Sequence, residues 1–218
     1  MGHELEAAGP GRKIRQKRGR KTYDALIASG FKLLEKREFE TITIAELAQA
    51  AGYSVGAFYA RFRSKDEFFE AMIARHLEDR GTVRRELLAT ATSAGLVDAL
   101  IRDLVTCYWK RRRFWRAALL RSTGDQAFWE PIGEHAQEFI ESLTARIQSD
   151  ARRRLTKAER ANVRFAIQLV LGQINNRIVN RPHPNLTDRA AFMENLARAF
   201  RLVSDYDRLV SGRALRAG

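Results

Sequence analysis

Residues able to act as nucleophiles, bases or metal ligands are few in this 218-residue chain. Its four histidines, His3, His76, His135 and His183, are scattered and share no metal-ligand spacing. Cys107 is the single cysteine; it has no convincing catalytic partner in the sequence and no second thiol for an internal disulfide. Neither a glycine-rich phosphate loop nor a Gly-x-Ser-x-Gly elbow occurs. Enzyme chemistry therefore finds little support, and no metal or cofactor is expected. The cations are another matter. Lys and Arg total 39 against 26 Asp and Glu, a net charge of +13. That excess fits a polyanionic partner, nucleic acid first and an anionic membrane surface second, although basic chains can also be simply soluble. Residues 12–21, RKIRQKRGRK, carry seven cations and no acid. They read as an arm over phosphates or the minor groove, or else as a localisation or solubility tag. A third cluster is aromatic: Tyr108, Trp109, Phe114, Trp115, Phe128 and Trp129, around Lys110-Arg111-Arg112-Arg113 and Arg116. Such walls suit a pocket for a large apolar or anionic molecule, with Trp109, Trp115, Phe128 and Trp129 as its candidate lining; an ordinary core beside a basic turn is the alternative.

The elements that must position these groups are all helical. With 45% hydrophobic residues and only four prolines, the chain can bury a core and favours helix. No window approaches the roughly 18 apolar residues of a membrane span, the first ten residues lack a signal-peptide core, and a cytoplasmic location is expected. Residues 1–11 show no periodicity and are expected to be disordered. Helix 1 is expected from an N-cap at Thr22 to about Arg37, burying Leu26, Ile27, Phe31, Leu33 and Leu34. Thr43-Ile44-Ala45-Glu46 is a capping box that opens a short helix with Ile44, Leu47 and Ala48 inward. Gly52 in Ala51-Gly52-Tyr53 supplies a left-handed turn. Ser54 then caps a second short helix through Phe62, with Val55 or Phe58, Tyr59 and Phe62 expected to be buried. Another capping box, Ser64-Lys65-Asp66-Glu67, starts a long helix to about Leu88. Two short helices across a three-residue glycine turn form a helix-turn-helix.

Beyond residue 94 the pattern predicts helices at 94–111, 114–122, 125–149, 156–180 and 187–210. Thr156-Lys157-Ala158-Glu159 is a third capping box, Thr187-Asp188 offers an N-cap, and Arg181-Pro182-His183-Pro184 must be a break. Helix 156–180 presents Ile167, Val170 and Ile174 on one stripe, and helix 187–210 presents Phe192, Leu196 and Phe200. Apolar faces this wide exceed what one neighbouring domain covers, so these six are the candidate dimer interface, with ordinary core as the alternative.

Residues 22–79 resemble the DNA-binding domain of the TetR family of bacterial regulators. The resemblance is carried by Thr43, Ile44, Leu47, Ala48, Ala51-Gly52, Ser54, Gly56, Phe58, Tyr59, Phe62 and Ser64-Lys65, with AGYSVGAFYARFRSK meeting several fixed spacings at once. It covers about a quarter of the chain. The resemblance implies that residues 54–62 are a recognition helix in the major groove of double-stranded DNA. Ser54, Val55, Gly56 and Ala57 would approach base edges, Tyr59 and Arg61 would reach phosphates, and Thr43 and Lys65 would meet phosphates at helix starts. It also implies a homodimer whose last two helices form a four-helix bundle, and a small-molecule effector bound in the C-terminal region. The long helix from residue 65 would then act as the lever. Three departures stand out: Glu38 where the family has glycine, Tyr53 in place of a small aliphatic residue, and Gly30 inside helix 1.

The expectation is thus an all-α chain in three parts: a basic, disordered N-terminal arm (1–21), a three-helix helix-turn-helix DNA-binding domain (22–68), and a larger helical ligand-binding and dimerisation domain (69–218). Its expected function is that of a sequence-specific regulator, a repressor released from a palindromic operator by an effector. The alternatives are a constitutive DNA-binding protein without an effector, or a basic helical adaptor for RNA or a membrane surface.

Overall fold

A computed structural model describes residues 10–180 and 188–211, with side chains from residue 19. Among the described residues there are ten α-helices, one 3-10 turn and no strand. The all-α expectation holds. Packing divides the chain into two units, Met1–Ile73 and Ala74–Gly218.

The first unit contains α1 (Pro10–Leu34), a 3-10 turn (Phe39–Thr41), α2 (Ile44–Ala50), α3 (Val55–Tyr59) and the start of α4 (Lys65–Thr90). α1 corrects two expectations. Thr22 is not its N-cap but lies mid-helix, and the basic run is helical where a disordered arm was expected. Arg, Lys and Gln are strong helix formers, and Pro10 at the first position leaves no orphan N–H. Residues 1–9 lie outside the described residues. Glu38 does not take a left-handed conformation: its φ of −74° and ψ of 147° are extended, and α1 ends ahead of it without strain.

Burial explains how these short helices hold. Leu26, Ile27 and Leu34 of α1, Leu47 and Ala48 of α2, Phe58 of α3 and Phe68, Phe69 and Met72 of α4 form one core with Phe62. The ring of Phe62 lies 5.1–5.3 Å from those of Tyr23, Phe58 and Phe68. Ser29 of α1 donates to the Leu47 carbonyl at 3.0 Å and ties α1 to α2. Gly30 has its reason here. A Cβ at that position would lie 2.8 Å from both Met72 Sδ and Phe68 Cζ, so close packing of α1 on α4 offsets a helix penalty of about 1 kcal/mol. Phe69, Met72 and Ile73 are buried in this unit, which therefore runs past residue 68.

The second unit holds the rest of α4 and α5 (Leu96–Lys110), α6 (Arg112–Ser122), α7 (Gln126–Asp150), α8 (Lys157–Asn180), α9 (Arg189–Ser204) and α10 (Tyr206–Ser211). Arg146 of α7 donates to the carbonyls of Leu88 and Ala91, at 2.7 Å to the latter, and so satisfies the C-terminal end of α4. Its core includes Leu100 and Leu104 of α5, Leu143 and Ile147 of α7, Val163 and Val170 of α8 and Phe200 of α9. α5 and α9 run antiparallel, because Arg201 meets Asp98 at 2.8 Å while Arg189 meets Thr106 at 2.6 Å.

The last helix differs from expectation. Asp205 has φ 56°, a left-handed residue that ends α9 and separates it from α10. The break turns Tyr206 inward, where its hydroxyl donates to the Ser93 carbonyl at 2.6 Å. Apolar periodicity continues across Asp205, so the pattern alone hides the break, and Asp is among the few side chains that tolerate that conformation. Asp188 itself is the cap of α9, accepting from Ala190 N at 2.9 Å. The expected break at Arg181–Pro184 lies outside the described residues, as does Thr187. Among the described residues no helix is long and apolar enough to cross a membrane.

Candidate nucleic-acid interface

α2 and α3 are five to seven residues long, too short to be stable alone, so caps and packing must hold them. At α2 the capping box is complete. Thr43 Oγ1 accepts from Glu46 N at 3.2 Å, and Glu46 Oε2 accepts from Thr43 N at 2.8 Å. Gly52 follows with φ +77°, and Tyr53 N returns to the Ala48 carbonyl at 2.9 Å. This is the left-handed stop the glycine was expected to provide. Ser54 then caps α3 by accepting from Ala57 N at 3.2 Å, which leaves its own O–H to donate. Phe58 on the inner side is fully buried. α3 is thereby presented with one side anchored.

The other side of α3 is open. Ser54 and Gly56 are exposed, Ala57 is half-buried, Val55 is 41% exposed and Tyr59 55% exposed. Of the alternatives Val55 or Phe58 the structure buries Phe58, and Phe62 is buried as expected, whereas Tyr59, expected inside, is turned out. The reason is the shortness of α3: with helix only from Val55 to Tyr59, one inward residue per turn suffices. Two apolar side chains and a phenol at the leading edge of a short, capped helix suit contact with base edges and phosphates. Tyr53 is half-buried in the turn.

Three polar residues at the rim, Lys65, Arg61 and Thr43, behave differently from expectation. Lys65 does not extend outward. Its Nζ donates to the carbonyls of Phe39 (2.6 Å) and Glu40 (3.2 Å) and lies 4.4 Å from the Phe39 ring centroid. Burial pulls its pKa down, and its ammonium braces the 3-10 turn against the start of α4. Arg61 is exposed, but its guanidinium sits against α1: a Cβ at Gly19 would lie 2.8 Å from Nη2. Thr43 is exposed, yet its hydroxyl donates to Glu46 at 2.8 Å. Glu46 is the residue the sequence reading missed as part of the edge. The Thr43 backbone N–H, with Arg37 paired to the same carboxyl, holds it well below the usual range, at about 2. Its place in the capping box was the signal available in the sequence; the Arg37 partner was not, since it comes from beyond the end of α1.

In the second unit, the four aromatics expected to line one pocket do not come together. Trp115 is buried and lines a cavity of ≈ 30 Å³ with His76, Arg84, Tyr108 and His135 among others. Trp109 instead lies beside Arg177, whose Cζ is 5.7 Å from its ring, and Phe128 lies under Arg121 at 4.7 Å. Neither these two nor Trp129 lines the cavity. Sequence proximity fails here because α5, α6 and α7 turn successive aromatics to different neighbours. The cavity adjoins a cleft of ≈ 420 Å³ between α4 and α7, which shares Leu77, Arg84, His135 and Phe139 with it.

Cys107 does have a partner, contrary to the sequence reading: His76 Nε2 lies 3.9 Å from its Sγ. Burial pushes the thiol up and the imidazole down to about 3, so both groups stay neutral near pH 7. No cluster of three or more His, Cys, Asp or Glu fit for a metal exists among the described residues.

The expected dimer residues are also corrected. Ile167, Val170, Ile174, Leu196 and Phe200 are all buried within the single chain, and Phe192 is half-buried against Arg177, 4.3 Å away. The stripe that looked free is the seam between α8 and α9. What stays open is Phe165, 58% exposed, and Leu202, 75% exposed. Phe165 lies on α8 and Leu202 on α9.

Two short capped helices, α2 and α3, joined by the Gly52 turn and packed on α1 form a helix-turn-helix. Residues 26–72 match the family model described as bacterial regulatory proteins, tetR family. An uncharacterized HTH-type transcriptional regulator of Bacillus subtilis, YwcC, is 43% identical over 47 residues, 22% of this chain. The match spans only 21% of that relative's length. A tetR-family regulator structure from Streptomyces coelicolor superposes with TM-score 0.66 at 18% identity, over 88% of this chain and 87% of that one. The FadR regulator of Bacillus subtilis, solved with stearoyl-CoA, gives TM-score 0.60 at 14% identity, over 88% of this chain and 100% of that one. At these identities the structures speak for the fold.

Proposed function

We propose that the chain is a sequence-specific DNA-binding transcriptional regulator, a repressor that works as a homodimer on a palindromic operator and is released by a small-molecule effector. One observation carries the DNA-binding part: the leading edge of α3, Ser54, Val55, Gly56 and Tyr59, is open while Phe58 and Phe62 anchor its back. A helix so held can enter a major groove without losing its core. The basic α1 run supplies sequence-independent attraction to the backbone. For pairing, Phe165 of α8 and Leu202 of α9 are large apolar side chains left exposed, and two copies meeting over these helices would bury them. For release, the FadR relative's complex with stearoyl-CoA and the cleft in the second unit support a ligand site. An effector that prefers one arrangement of the dimer then lowers operator affinity by linkage.

The test is a gel shift on duplexes recovered by selection from genomic DNA. The wild-type chain should bind a selected duplex and not scrambled DNA, RNA or lipid vesicles. Tyr59→Ala should weaken that binding about tenfold or more, the loss of one good contact, with helicity unchanged. Unaltered affinity would remove Tyr59 from the interface.

A further inference from the structure

We infer that the second unit holds a built site for a monoanionic organic carboxylate, its head against Arg84 in the buried cavity and its body in the cleft between α4 and α7. This rests on the effector reading above and names the ligand class.

The first observation is charge. Arg84 is 8% exposed, and among the described residues the carboxylate nearest to it and its neighbour Arg80, that of Asp103, is bound to Arg80 and not to Arg84. His76 and His135 are pushed toward the neutral form, first by burial and then by nearby arginines, Arg111 foremost for His76 and Arg84 for His135. The Arg84 guanidinium, 4.6 Å over the Phe139 ring, thus lacks a carboxylate paired to it directly, and a buried charge without its own counterion is costly.

The second observation is hydrogen bonding. Arg84 Nε, Arg80 Nε, Trp115 Nε1 and His135 Nε2 are buried without a partner, and all four belong to residues lining the same ≈ 30 Å³ cavity. Three of them can only donate. Orphaned buried donors gathered around one void call for an acceptor. The void has room for about two water-sized groups, since a single water needs about half that volume, and the two oxygens of a carboxylate match that. A carboxylate supplies the acceptors, the size and the single negative charge.

The cleft sets the rest of the ligand. Leu77, Leu88, Pro131 and Phe139 give it apolar surface, while Glu78, Glu134 and Glu138 line it with negative charge. A second anionic group at the outer end is disfavoured. The site thus selects a free acid over a polyanionic conjugate such as a coenzyme A thioester.

The experiment titrates the full chain with octanoate and 2-naphthoate, each against its methyl ester, and with octanoyl-CoA and inorganic phosphate, by calorimetry and tryptophan fluorescence. At least one carboxylate should bind ten times or more tighter than its ester, octanoyl-CoA and phosphate. Arg84→Met should erase that preference, Arg84→Lys should keep most of it, and Trp115→Phe should weaken it severalfold; the last two serve if Arg84→Met fails to fold. The inference is overturned if neither carboxylate binds, if ester or thioester binds as well, or if all three variants bind like wild type. A gel shift run alongside separates the two claims. Operator binding without any carboxylate preference sinks the site alone, whereas carboxylate binding without operator binding sinks the regulator reading.

Discussion

Lowering the pH should destabilise the second unit through His76, and the structure sets the size of the effect. His76 is 2% exposed, with the rings of Phe114 and Trp115 each 5.2 Å away. Burial first, and then Arg111, Arg80 and Arg84, hold its imidazole near pKa 3 against 6.5 for a free histidine. Below pH 6.5 the unfolded chain takes up a proton that the folded chain refuses, so stability is full above that pH and falls as pH drops toward 3. At about 1.4 kcal/mol per pH unit, the window from 6.5 to 4.5 alone removes roughly 3 kcal/mol, a large share of the 5–15 kcal/mol of an ordinary domain. Carboxylates do not obscure that window: Glu46 and Glu159, both lowered to about 2, lose their contribution only between 4.5 and that value. The assay is urea unfolding of wild type and His76→Leu at several pH values, followed by far-ultraviolet circular dichroism. Because His135 is shifted in the same direction, a His135→Gln control is run in parallel. Wild-type stability should fall across the window and that of His76→Leu should fall much less. A flat wild-type profile, or an identical slope in His76→Leu, would show that His76 is not the group that titrates.

Other consequences follow from single positions. Gly52→Ala has open space for its Cβ but must keep φ +77°, so it should cost about 1–2 kcal/mol by urea titration and weaken operator binding in step; a neutral change would mean that the turn relaxes. Phe165→Glu with Leu202→Glu should convert a dimer to monomers in analytical ultracentrifugation without loss of helicity, since both side chains are exposed in the single chain; an unchanged sedimentation coefficient would place the interface elsewhere.

Much of this was legible in the residues, and the parts that were not share a cause. The Thr43–Glu46 box, the Ser54 cap and the Gly52 turn are local devices whose chemistry is complete within a few positions, and each stands as read. Thr22 misled because it looks like a cap, although the cations before it are themselves helix formers. Lys65 was read from its place at a helix start, but its partners are carbonyls 25 and 26 residues away. Ile167, Val170 and Phe200 were read as a dimer interface and are buried within the single chain; periodicity cannot say whether the covering helix comes from the same chain. Tertiary neighbours decide such cases. The cavity around Arg84 was out of reach for the same reason, since its donors come from α4, α6 and α7.

The most direct trial of the account is a footprint of the full chain on a selected genomic duplex, compared with Val55→Glu, which puts a carboxylate on the exposed leading edge of α3. The account predicts two protected major-groove segments about 34–36 Å apart, or a multiple of that, related by a two-fold axis, and their disappearance in Val55→Glu while that variant stays folded. Protection that persists in Val55→Glu, or that shows no paired segments, would contradict it.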